Sequence, residues 1–145
     1  MKDSYVRKAK LIRVIDGDTF EMEIDLGFNL YLNSAVRLAM LDTPECRGAE
    51  KLAGLYVKKQ MLAKIKECRS KASKTESFYV HSTLKPTIFN RIVGEVYFGD
   101  FNLNEWLLDS RLAWKRQSAS KIAKRDVERL SLPEGIKQRT KELMV

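Results

Sequence analysis

Hydrophobic and polar positions alternate along the first third of the chain. Residues 5–15 alternate loosely and are rich in β-formers. Asp16-Gly17 follows as a tight hairpin turn, because both residue types tolerate positive φ. From Thr19 the alternation is strict. Phe20, Met22, Ile24 and Leu26 point one way, and Thr19, Glu21, Glu23 and Asp25 the other, the pattern of a half-buried strand. Residues 27–34 read as a loop. Residues 35–41 are apolar on both faces except at Arg37, which predicts a central strand. The period then changes. Over residues 48–68 a helix is expected, with Leu52, Leu55, Leu62 and Ile65 on one stripe and Lys58, Lys59 and Lys66 largely elsewhere.

A polar connection over 69–76 leads to a strand over 77–83, a loop with Pro86 over 84–90, and a strand over 91–98. Gly99-Asp100 turns the chain into a short helix over 102–111. From residue 118 the pattern is that of a basic helix, broken near Pro133-Glu134-Gly135. Three strands, a long helix, two strands and further helices suit an α+β, mainly β, fold. Its core would be a five-stranded Greek-key barrel of the OB type, with a long helix after the third strand and C-terminal helices. At 145 residues the chain is expected to form one domain, with 115–145 as a basic helical tail.

Charge changes the picture. Lys and Arg number 27 against 19 Asp and Glu, a net charge of +8. Ten basic and four acidic residues lie in 111–145, so most of the excess sits near the end. A basic, asymmetric chain suggests a polyanion partner, nucleic acid first; the plainer reading is a solvated helix face. No apolar run approaches a membrane span, and the charged start lacks a signal core. The chain is therefore expected to be cytoplasmic, with no membrane partner. Cys46 and Cys68 fit no metal spacing and read as free thiols. A single histidine, His81, excludes a His-rich zinc site. A hydrolase built here would rely on carboxylates, arginines and a hard metal.

Three segments carry candidate chemistry. In Asp16-Gly17-Asp18-Thr19, Asp18 shares parity with Phe20, so a carboxylate leans toward an apolar face, where it is costly unless paired or metal-bound. Asp42-Thr43-Pro44-Glu45 ends the third strand, and Pro44 makes the bend rigid. Two carboxylates and a free carbonyl there are hard oxygen ligands of the kind calcium or magnesium takes. Arg37 is the lone charge of its strand and needs a carboxylate or phosphate partner; its plainer reading is an ion pair with Asp18 or Asp42. Arg91 opens another strand, and its plainer reading is an edge arginine with its head in water. Together these side chains supply a metal site, a base and two fork-shaped phosphate donors.

The chain resembles the staphylococcal nuclease (thermonuclease) family. The likeness rests on Val14-Ile15-Asp16-Gly17-Asp18-Thr19-Phe20 and Val36-Arg37-Leu38-Ala39-Met40-Leu41-Asp42-Thr43-Pro44-Glu45. It continues at Phe89-Asn90-Arg91-Ile92-Val93-Gly94, at Leu103-Asn104-Glu105-Trp106-Leu107-Leu108 and at Arg111-Leu112-Ala113, and covers about residues 8–114. The resemblance implies a calcium-dependent endonuclease that hydrolyses DNA and RNA and leaves 3′-phosphates. One calcium ion, or another divalent metal, would be held by Asp18, Asp42 and the Thr43 carbonyl. Glu45 would orient or deprotonate water, Arg37 and Arg91 would grip the scissile phosphate, and Phe89 and Lys85 would contact substrate. The chain departs from the family at Thr87, where an acid is usual, at Phe89-Asn90, where Tyr-Gly is usual, and in a short loop after Glu45. The protein would act as a monomer. The rival expectation is a non-catalytic nucleic-acid-binding module of the same fold.

Overall fold

The computed structural model describes residues 1–84, 91–116 and 124–144. Three strands, β1 (Val6–Asp16), β2 (Thr19–Gly27) and β3 (Leu30–Leu38), form an antiparallel meander. Strand β4 (Leu41–Asp42) and a short 3-10 turn (Gly48–Glu50) lead into helix α1 (Lys51–Lys71). Strand β5 (Phe78–Ser82) pairs antiparallel with β1, and β6 (Ile92–Phe98) antiparallel with β5. A parallel pairing of β6 with β3 closes the barrel. The closed order β1-β2-β3-β6-β5, with a long helix after the third strand, is the OB-type α+β fold. Strand β7 (Phe101–Asn102) pairs with β6, helix α2 (Leu103–Asp109) follows, and β8 (Trp114–Lys115) pairs with β4. Helices α3 (Lys124–Arg129) and α4 (Glu134–Leu143) complete the described chain. Pro133 stands at the N-cap of α4, so the expected break falls between two helices.

The barrel interior is filled by the alternate residues of each strand, among them Phe20, Met22, Ile24, Val36, Leu38, Val80 and Val96. Helix α1 buries Ala53, Gly54, Val57, Met61 and Ile65. This corrects the expected stripe. Only Ile65 of that set is in the core; Leu52, Leu55 and Leu62 are 44, 43 and 47% exposed. The helix carries two apolar stripes, and backbone approach chooses between them. A Cβ on Gly54 would lie 2.1 Å from the Glu45 carbonyl oxygen, so only the glycine-bearing face packs against the loop after β4. The basic C-terminal segment is also anchored, since Val127, Leu130, Leu132 and Thr140 are buried.

Two turns differ from expectation. Asp16 pairs with Thr19, so the β1–β2 turn consists of Gly17 and Asp18. Neither has a positive φ. Gly17 is required by space instead, since a Cβ there would meet Val57 Cγ1 at 2.6 Å and Thr43 Oγ1 at 3.1 Å. The primed two-residue turn lies between β2 and β3, at Phe28 (φ 56°) and Asn29 (φ 62°). The expected loop over 27–34 is mostly strand, because β3 begins at Leu30. Its first four residues are exposed, so burial leaves no alternation to read there.

Candidate active site

The expected strand over 35–41 is broken. β3 stops at Leu38, Met40 takes a left-handed conformation (φ 67°), and β4 restarts at Leu41 as part of a different sheet. The break creates the site. In a continuous strand the Cα atoms of Arg37 and Asp42 would be roughly 17 Å apart and their side chains on opposite faces. Here the reversal at Met40 brings the Asp42 carboxylate onto the Arg37 guanidinium. Asn104 of α2 holds the break in place. Its side-chain amide donates to the carbonyls of Ala39 (3.2 Å) and Gly94 (3.3 Å), and its oxygen accepts from the Val96 N–H (3.0 Å). On the other side β8 supports β4, with Leu41 opposite Lys115 and Asp42 opposite Trp114.

Asp18 enters from the β1–β2 turn and is buried. Its Oδ1 accepts from the Thr19 hydroxyl (2.9 Å), and its Oδ2 accepts from the Thr43 N–H (3.0 Å). The same Oδ2 lies 2.8 Å from Arg37 Nη1, while Arg37 Nη2 pairs with Asp42. Arg37 thus forms both ion pairs that its plainer reading allows. The Thr43 hydroxyl is buried with no hydrogen-bond partner among the described residues. Four sequence-nominated residues, Asp18, Arg37, Asp42 and Thr43, therefore meet at one end of the barrel. Glu45 stands at the exposed rim, its carboxylate 3.4 Å from the Arg47 guanidinium. Arg91 directly precedes Ile92, which pairs with Val36, and Val93 pairs with Arg37. Arg91 thus stands two residues before the partner of Arg37, and its Nε is buried. Phe89 and Lys85 lie outside the described residues.

The carboxylates feel one another. Burial pushes the Asp42 carboxyl above its ordinary pKa, with the Asp18 charge adding to the rise and Arg37 and Arg116 opposing it. Burial likewise raises Glu50, whose charge is further disfavoured by Glu45, Asp18 and Asp42. Glu50 Oε1 accepts the backbone N–H of Glu45 at 3.1 Å, which ties the catalytic candidate to the start of α1. The Cys46 thiol is pushed up to about 11, first by burial and then by a hydrogen bond with Asp16, so it stays protonated and unreactive at neutral pH.

Three residues at or behind this site escaped the sequence reading. Glu50, next to the expected helix, carries no pattern that sets it apart from an ordinary surface acid. Arg116, whose Nε is 3.9 Å from Asp42 Oδ2, was counted only as tail charge, because a two-residue strand leaves no periodic signal. Asn104 had a usable signal: it is a polar residue set among the buried Leu103 and Leu107 of a short helix. A cavity of about 560 Å³ lies elsewhere, between β1 and the end of α1, and shares none of these residues.

Among the described residues, no three His, Cys, Asp or Glu side chains form a group able to hold a metal ion. The fit to a hard cation rests on a smaller donor set. Asp18 and Asp42 supply carboxylate oxygens, and the unpartnered Thr43 hydroxyl marks a buried oxygen beside them. Carbonyl and water oxygens would complete the coordination that calcium takes. A comparison with known protein families finds none that matches the chain, and no curated protein matches it.

Proposed function

We propose that the chain is a calcium-dependent, sugar-nonspecific endonuclease, similar to the staphylococcal nucleases, that cuts DNA and RNA to leave 3′-phosphates. The observation that carries this reading is the meeting of Asp18, Arg37, Asp42 and Thr43 at one point. Nothing in barrel stability requires two acids and an arginine together with an unpartnered hydroxyl. Asp18, Asp42 and Thr43 would hold the cation, which supplies charge to polarise a phosphate oxygen when bound.

The chain's own side chains do the rest. Glu45, at the open rim, takes a proton from the attacking water. The water oxygen bonds to phosphorus and the P–O5′ bond breaks. The 5′ oxygen takes a proton from solvent water as it leaves, and the 3′-phosphate remains. Arg37 and Arg91 stabilise the added charge of the five-coordinate state. Arg37 first has to release part of its hold on the two acids, a release favoured when a cation takes its place on the carboxylates. Glu50 keeps the Glu45 backbone in register.

One observation favours a second reading. With both Arg37 ion pairs made, the cluster satisfies itself as a buried triad, as a non-catalytic nucleic-acid-binding module would tolerate. Incubating plasmid DNA and RNA with the purified chain in calcium, in magnesium and in excess chelator separates the two. Cleavage in calcium that stops in chelator is expected. Binding without cleavage in any metal supports the module instead, and full cleavage in chelator refutes the metal-dependent mechanism.

A further inference from the structure

Of the two arginines that the sequence nominates for phosphate binding, Arg37 is closely held. The Arg37 side chain is only 10% exposed and is held by two carboxylates. Arg116 differs in each respect. Its side chain is 45% exposed, and its one ion pair among the described residues, to Asp42 Oδ2, is loose at 3.9 Å. Its backbone is nevertheless fixed. β8 pairs with β4 immediately before it, and the Arg116 N–H donates to the Met40 carbonyl at 3.1 Å, at the break that forms the site. A half-exposed guanidinium is thus mounted on a hydrogen-bonded backbone at the rim of the carboxylate–arginine cluster.

We propose that Arg116 is a substrate-binding residue that takes a backbone phosphate of single-stranded nucleic acid beside the reacting one; this rests on the nuclease reading above. The chemistry is that of a planar fork of N–H donors, suited to bidentate contact with phosphate oxygens. In the free protein Asp42 holds the guanidinium loosely and keeps it aimed at the site. Exchanging one loose carboxylate contact for a phosphate costs little, whereas Arg37 has two close ones to give up.

The test is binding, measured in excess chelator so that no cleavage occurs. The probe is a short fluorescein-labelled single-stranded DNA followed by anisotropy over roughly 50 to 200 mM salt. Arg116→Ala is expected to raise Kd on the order of 10-fold, the loss of one charge-assisted contact. It should also lower the magnitude of the log–log salt slope by about 0.7, one phosphate contact on a single strand. Arg116→Lys should keep the slope and recover part of the affinity. Arg116→Gln, which keeps the polar stem, should behave as the alanine variant does and guards against a packing effect. Arg7→Ala removes the same charge roughly 30 Å from Asp16 along β1, and should leave Kd within about twofold of wild type. Equal effects of Arg7→Ala and Arg116→Ala would reduce Arg116 to net charge and overturn the assignment. So would wild-type binding that Arg116→Ala leaves unchanged, and in that case the nuclease reading stands. No binding by the wild-type chain overturns the Arg116 assignment, which needs no cation, while the nuclease reading stands or falls on cleavage in calcium.

Discussion

Replacing Arg37 by Met keeps most of the side-chain volume and removes the charge that separates Asp18 from Asp42. Both acids remain partly or wholly buried, now facing each other with the loose Arg116 contact to Asp42 in place of two close pairs. Breaking a buried pair by removing one partner costs about 3–5 kcal/mol, and for a chain of this size that lowers Tm on the order of 10 °C. The loss should depend on pH. Without Arg37 the Asp42 carboxyl, already raised by burial and by the Asp18 charge, loses the larger of the two charges that oppose the rise. Stability is then present at low pH, where Asp42 carries a proton, and is lost as pH rises through the raised value. Urea denaturation at about pH 5 and pH 7.5 reads this out. The variant should recover much of its deficit at the lower pH, while wild type changes far less. Added calcium should stabilise the variant more than the wild type, since the cation replaces the missing charge without having to displace Arg37. Arg37→Lys, which keeps charge but loses the fork, should fall between. A deficit under about 1 kcal/mol that is indifferent to both pH and calcium would refute the triad as the organising interaction of the site.

Arg91→Ala is expected to lower turnover on the order of 10²-fold with the circular dichroism spectrum preserved, because Arg91 precedes β6 rather than filling the barrel; full activity would remove it from the site. Asn104→Leu should cost about 2–3 kcal/mol in urea denaturation, since the Val96 N–H and two carbonyls lose their partner, and a neutral result would show that the Met40 break holds without it. Glu50→Gln keeps an oxygen to accept the Glu45 N–H and removes a charge that its neighbours disfavour. Because the folded-state pKa of Glu50 is raised, the variant should be more stable than wild type at neutral pH, with the two converging as pH falls below the carboxylate range; Tm measured against pH checks the convergence.

Most of the architecture is written in local pattern. Alternation from Thr19 to Leu26 requires a half-buried strand, and the change to a helical period after Gly48 requires a helix. The element order that follows closes into a barrel with few alternatives. The candidate site was legible for a similar reason: a charge at Arg37 within an apolar strand, and acids at Asp18, Asp42 and Glu45 next to turn residues, are costly unless they meet something. Non-local contact settled the remainder. Which of two apolar stripes on α1 faces the core depends on Gly54 meeting the Glu45 carbonyl, and Gly17 is needed for a valine forty residues away. The break at Met40 places Asp42 on Arg37, yet Met is an ordinary strand residue and nothing in its neighbours announces a left-handed turn. Its anchor is Asn104, far along the chain. Glu50 and Arg116 join the site only because a helix start and a two-residue strand happen to end there. Periodicity records which face of an element is buried; it carries no record of what that face, or the turn at its end, is buried against.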